Sequence, residues 1–127
     1  MPVPFKAVAR VNPADRTQPP LYYAQPVKRG TLTLRQLAKR ASDMSSITVM
    51  DALSVIESLV QIIPEELGEG NIVRLGEFGS FSLSIKCEPA ETPEALKSPS
   101  INGAKIIFRP GKIVKEKLEV ISYEKVS

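Results

Sequence analysis

The sequence predicts an α+β fold, and three observations carry that expectation. Apolar and polar residues alternate with a period of two near both ends and again in the middle of the chain. Two consecutive stretches, each opened by a threonine, carry helical periodicity. A turn rich in glycine and phenylalanine, GEFGSF at residues 76–81, stands between two strand-like runs. At 127 residues, 43% of them hydrophobic and 24% charged, the chain suits one soluble domain, or a small domain with an appendage, and is long enough to bury a core.

Residues 5–11, FKAVARV, set Phe5, Ala7, Ala9 and Val11 against Lys6 and Arg10, which reads as a strand with one buried face. The prolines of PADRTQPP remove backbone donors and end it. LYYAQPV then resumes a strand composition, so residues 1–30 read as a hairpin-like β extension. Thr33 is a fitting N-cap for LRQLAKRA, where Leu34, Leu37, Ala38 and Ala41 fall on one side and Arg35, Lys39 and Arg40 stay in water.

Thr48, with Asp51 three residues on, resembles a capping box and opens a second helix. Ten of residues 49–63 are apolar, among them Leu53, Ile56, Leu59 and Val60, and the polar exceptions form a narrow stripe. A helix so apolar is buried on more than one side, and a second chain is the natural supplier of the cover. Pro64 either interrupts this helix or opens a short new one, PEEL, with Gly68 as the stop. NIVRL, FSLSIK and AKIIFRP read as three strands, Pro110 and Gly111 precede a last helix KIVKEKL, and the tail EVISYEKV is strand-like and available to the N-terminal hairpin.

Charge is unevenly spread. Residues 1–41 hold eight Lys/Arg against one acid, residues 42–99 three against ten, and residues 100–127 six against three. Basic ends around an acidic middle, at a pI near 9.1, point toward a polyanionic partner if both ends share a face. Enzymatic chemistry is not expected. There is no histidine, a single cysteine (Cys87), no metal-ligand spacing and no glycine-rich phosphate loop, so catalytic residues, metal, cofactor and small-molecule substrate are all expected to be none. Glu65 and Glu66 point about 100° apart on a helix and serve as first-turn acids. One cysteine, no apolar leader after Met1 and no run near the roughly 18 apolar residues of a membrane span suggest a cytoplasmic or nucleoid-associated protein.

The order of two helices, a strand, the turn Gly76, Phe78, Gly79, Ser80, Phe81, an extended excursion, and Phe108, Arg109, Pro110, Gly111, Lys112, Lys115 opening a final helix resembles the HU/IHF family of bacterial histone-like DNA-bending proteins. The resemblance covers about residues 31–118; the added hairpin and the tail at 119–127 look like a variant of Bacteroides-type bacteria, the tail packing on the extension. It implies an intertwined homodimer with helices at the base, a three-stranded antiparallel sheet and a β-arm at about 86–105. Phe78, Phe81 and Phe108 would build a core shared by two subunits, together with Leu53, Ile56, Leu59 and Val60. Burying three phenylalanines is worth on the order of 5 to 9 kcal/mol before entropy.

The resemblance also implies the partner, double-stranded DNA, bound by arms in the minor groove and by a basic saddle on the phosphates. The matching residues here are Lys86 at the arm base, Lys97, Lys105 on the returning strand, and Arg109, Lys112 and Lys115 around the start of the last helix. Pro99 is either the wedge that kinks a base step or an ordinary loop proline. The arm departs from the family: Lys86, Lys97 and Lys105 face Glu88, Glu91 and Glu94, Ser84 stands where arginine is common, and Thr92 with Pro93 signals a helical turn. Lys28, Arg29, Arg35, Lys39 and Arg40 either extend the phosphate track or only solubilise the first helix. Two functions follow: a sequence-independent architectural DNA binder, or an interaction module of the same fold whose arm has turned neutral.

Overall fold

A computed structural model describes residues 2–126; positions 1 and 127, where the expected extension begins and the expected tail ends, lie outside the described residues. In chain order the elements are β1 Val3–Arg10, β2 Leu21–Pro26, α1 Leu34–Asp43, α2 Val49–Gly68, β3 Val73–Arg74, β4 Gly79–Cys87, β5 Ile101–Pro110, α3 Lys112–Glu119 and β6 Tyr123–Lys125. They form two compact units, Met1–Thr31 with Lys117–Ser127, and Leu32–Glu116.

The first unit is a sheet in the order β2-β1-β6, β1 antiparallel to β2 and parallel to β6. Phe5 lies opposite Pro26 and Arg10 opposite Leu21, while Val3 lies opposite Tyr123. Residues directly opposite share a face. One face therefore carries Val3, Phe5, Ala7, Ala24, Pro26 and Tyr123, and the other Lys6, Val8, Arg10, Leu21, Tyr23 and Gln25. The proline-rich loop turns on its own side chains: Asn12 Oδ1 accepts from Ala14 N at 2.9 Å and Asp15 Oδ1 from Thr17 N at 3.0 Å. The Thr17 hydroxyl, then the Thr17 backbone N–H, hold the Asp15 carboxyl below its ordinary value. The tail forms only three strand residues, because helix α3 runs on to Glu119; Val126 N still donates to Phe5 O at 2.8 Å.

In the second unit, α1 opens with a full capping box: Thr33 Oγ1 accepts from Gln36 N at 3.3 Å and Gln36 Oε1 accepts from Thr33 N at 2.8 Å. Thr48 makes the forward half alone, accepting from Asp51 N at 3.1 Å, since aspartate is one carbon shorter than glutamate or glutamine. Of the two readings left open at Pro64, neither describes the chain, for α2 runs unbroken to Gly68. A proline inside a helix deletes one backbone bond, and the turn beyond it is held by Leu67, 1% exposed, at the end of α2 that meets β3 and β4. The stop is not Gly68 but the turn after it. Gly70 takes the left-handed φ of 92°, and Asn71 binds back to Glu66 through its backbone N at 3.1 Å and its side chain at 2.9 Å. With Asn71 so engaged, only Val73 and Arg74 of NIVRL join the sheet. Pro64→Ala restores the missing donor, and the variant should be about 1 kcal/mol more stable in urea unfolding monitored by circular dichroism.

The second sheet has the order β3-β4-β5, all antiparallel. Ser80, Ser82, Ser84 and Lys86 lie opposite Arg109, Ile107, Lys105 and Gly103 on one face; Phe81, Leu83 and Ile85 lie opposite Phe108, Ile106 and Ala104 on the other. A bulge at Lys86/Cys87 ends this regular register.

The interior is thin. Among the described residues only Ala38, Ala52, Leu67 and Gly79 are buried, whereas Phe78 is 46% and Phe108 38% exposed. The chain exposes 10786 Å², against about 8,000 Å² for two compact bodies of these sizes.

Candidate nucleic-acid interface

The two glycines of GEFGSF that flank Phe78, with Gly111, fix the junction from which the site is built. Gly76, Glu77 and Phe78 form a 3₁₀ turn, after which Gly79, at φ 145°, starts β4 opposite Pro110. A Cβ on Gly79 would lie 2.4 Å from Arg109 O and 2.8 Å from the Phe108 ring. One on Gly111 would lie 2.3 Å from Glu77 O. Only glycine permits so close an approach, and Gly111 N donates to Phe78 O at 2.9 Å. The phenylalanine-glycine turn and the start of α3 are thus locked together.

This lock places cations on the serine face of the sheet. Arg74, Ser80 and Arg109 form one row across β3, β4 and β5, since Arg74 pairs with Ser80 and Ser80 with Arg109. Lys105 lies opposite Ser84, diagonal to Lys86, on the same face. Lys112 and Lys115 stand in the first turn of α3, which contains no acid. A cavity of about 240 Å³ at the foot of this face is lined by Arg74, Glu77, Gly79, Ser80, Arg109, Gly111 and Lys112. Among the described residues the sole ion pair is Lys39–Asp43, so no carboxylate lies within 4.0 Å of these cations. Cations and a helix N-terminus around one pocket attract an anion, with Glu77 in the lining opposing it.

The other expected residues divide. Lys97 does not join Lys86 and Lys105: it lines a depression with Ile85, Cys87, Leu96 and Ile101, beside the apolar face. Pro99 is exposed in a second 3₁₀ turn, Ser98–Ser100, closed by Ser100 N to Lys97 O at 2.8 Å, and Glu88 N donates to Ser100 O at 3.0 Å. An earlier 3₁₀ turn of the same segment, Pro93–Ala95, is the one signalled by Thr92, whose hydroxyl accepts from Ala95 N at 3.3 Å. Residues 88–100 thus form a compact cap on a short ribbon. Lys28 and Arg29 belong to the first unit, and Arg29 Nη2 donates to Pro2 O at 2.7 Å. Arg35, Lys39 and Arg40 ride on α1, where Lys39 Nζ lies 2.6 Å from Asp43 Oδ1.

On the reverse face Phe108 stands 5.2 Å from Phe78 and 4.9 Å from Phe81, centroid to centroid, so the three rings form one cluster. On α2, Leu53 and Ile56 are half-buried, and Leu59 and Val60 are 39% and 54% exposed. Arg74 and Ser80 were not singled out as site residues from sequence. The signal for them is parity, as each lies an even number of residues from a landmark on the serine face once β3 and β5 are paired to β4.

A family model described as "HU domain fused to wHTH, Ig, or Glycine-rich motif" matches residues 1–125. The chain belongs to the HU/IHF family. Integration host factor subunit alpha of Colwellia psychrerythraea is 31% identical over 90 residues, which span 69% of this chain and 93% of that relative. The same subunit of Vibrio cholerae is 31% identical over 96 residues, spanning 74% and 98%. The fold is shared with HU of Anabaena, crystallised with DNA, at a TM-score of 0.53 and 22% identity over 70% of this chain and 99% of that one. It is also shared with a candidate DNA-binding protein of Bacteroides vulgatus, at a TM-score of 0.66 and 12% identity; 98% of this chain is covered but only 48% of that one, so the chain spans about half its length. HU/IHF chains are DNA-binding architectural proteins rather than enzymes.

Proposed function

We propose that this HU/IHF-family chain acts as a homodimer on the nucleoid, binding duplex DNA through its phosphates with little sequence preference and bending or compacting it. The observation that carries the proposal is the two-sided second sheet. Its serine face gathers Arg74, Lys86, Lys105 and Arg109 beside Lys112 and Lys115, while its reverse gathers Phe81, Leu83, Ile106 and Phe108. The first face suits a polyanion and the second suits another protein surface. A second copy would cover the exposed Phe78 and Phe108 and the apolar flank of α2, and would bring two such basic faces onto one duplex. Pro99, exposed at the ribbon's end, is the wedge in this proposal. No helix among the described residues is long and apolar enough to cross a membrane, and a cytoplasmic site of action is part of the same proposal.

A specific observation favours the rival reading, an HU-fold interaction module with weak DNA binding: the second unit holds ten Lys/Arg against eleven acids. A gel shift over a salt series, with the solution mass measured in parallel, separates the two. Retardation at low salt that weakens steeply as salt rises supports the architectural reading, while no retardation at about 50 mM salt favours the rival. A monomeric mass at micromolar concentration sinks the homodimer. Phe108→Ala should shift the assembly toward monomer, with a cost of about 3 kcal/mol per truncated ring, read by sedimentation.

A further inference from the structure

We propose that the first unit carries a second contact surface for the phosphate backbone of duplex DNA, centred on Lys6 and Arg10 of β1. The inference rests on the DNA-binding reading above and adds a site to it. Its starting point is the distribution of charge between the units. The first unit holds seven Lys/Arg against three acids, the second ten against eleven, so the net positive charge of the protein resides in the first unit. A polyanion is drawn toward that unit before any other part of the chain.

The charge is also directed. Lys6 and Arg10 lie on one face of β1 with Val8 between them, and Gln25, Tyr23 and Leu21 lie opposite. Glu124, the acid on this face, pairs with Pro4, diagonal to Lys6 and at the far end from Arg10. Asp15 is engaged by Thr17 within the loop, and no carboxylate among the described residues lies within 4.0 Å of Lys6 or Arg10. The Arg10 guanidinium carbon lies 5.6 Å from the centroid of the Tyr23 ring, which orients the planar fork and leaves its N–H edges for an oxyanion. An open cavity of about 460 Å³ beside it is lined by Arg10, Asn12, Gln18 and Tyr23, so amide groups stand next to the guanidinium. Along the strand, Lys6 and Arg10 are about 13 Å apart, far enough for each to meet a separate phosphate of a duplex that carries one charge per roughly 1.7 Å of its axis. The opposite face is apolar, with Lys125 as its cation. A single-stranded ligand is disfavoured, because base stacking needs a series of free rings and this face has Tyr23 alone, one side of it already taken by Arg10.

The test compares the salt dependence of duplex binding by the full-length protein and its variants. Lys6→Gln with Arg10→Gln should make the slope of log K against log salt shallower by about 1.8 per protomer, at about 0.9 per lost phosphate contact. Lys125→Gln should leave the slope unchanged, and Lys6→Arg with Arg10→Lys should restore it. If the double variant melts below wild type, Lys6→Gln alone serves, with an expected change of about 0.9. A wild-type slope in a normally folded double variant overturns the second surface and leaves the serine-face reading intact. An equal per-charge effect of Lys125→Gln overturns it as well, since that would reflect net charge and not a surface. Tighter binding of single-stranded oligonucleotide that is lost with Tyr23→Leu overturns the duplex assignment. Failure of the wild type to bind any duplex removes the DNA-binding reading itself.

Discussion

Gly79→Ala is expected to be the most destabilising single-methyl change in the second unit. Two costs add. At φ 145° an L side chain is strained whatever the space, at about 1 to 2 kcal/mol, and the new methyl would sit 2.4 Å from a backbone oxygen that cannot retreat without opening the β4–β5 ladder. Overpacking of this kind costs about 1 to 3 kcal/mol more. The total, about 4 kcal/mol, is a large part of the stability of a domain this size. Gly68→Ala is the control, because nothing lies within 4 Å of its position and no left-handed angle is involved; it should be neutral or slightly stabilising. Chemical unfolding of both variants, followed by far-ultraviolet circular dichroism, checks the contrast. Equal midpoints would show that the junction between the phenylalanine turn and β5 yields easily.

The largest functional effect is expected from Lys112→Glu combined with Lys115→Glu. These residues occupy the first turn of α3, where Lys115 N bonds to Gly111 O at 3.0 Å, and Lys112 lines the cavity together with Arg109 and Arg74. Each reversal removes an attraction and installs a repulsion at the same phosphate, and in a homodimer both are doubled. Duplex affinity at about 0.1 M salt should fall by at least about a hundredfold, with a shallower salt slope. The fold should survive, since Lys112 and Lys115 are exposed and unpaired among the described residues, although acids in a first turn interact favourably with the helix dipole. Unchanged affinity in a correctly folded double variant would move the site off this face.

Much of the architecture was legible because it rests on local signals. Thr33 and Thr48 cap the helices as their spacing predicts, Thr92 announces a one-turn helix inside the arm, and the serine alternation of β4 gives its two faces directly. What was not legible depends on partners distant in sequence. Pro64 stays inside α2, with Leu67 buried in the turn beyond it, and the helix ends where Asn71 reaches back to Glu66, neither of which a window of sequence reveals. The site shows the same limit. Lys86, Lys105 and Arg109 fall along one face once the strands are paired, with Lys112 at its foot, but Lys97 lines the other side of the ribbon. Arg74 enters only through its pairing with Ser80 across β3 and β4.

Because successive residues of β4 and β5 alternate between the basic and the aromatic side, inserting a single residue between Phe81 and Ile85 would exchange the two chemistries beyond it. The bulge at Lys86/Cys87 marks the end of that constraint, and the thirteen positions from Glu88 to Ser100 are paired to neither face by the ladder. Changes in loop length among homologous chains should therefore collect between these positions and be absent from the paired stretch, leaving the tip free to vary while the palm beneath keeps its two-sided grammar.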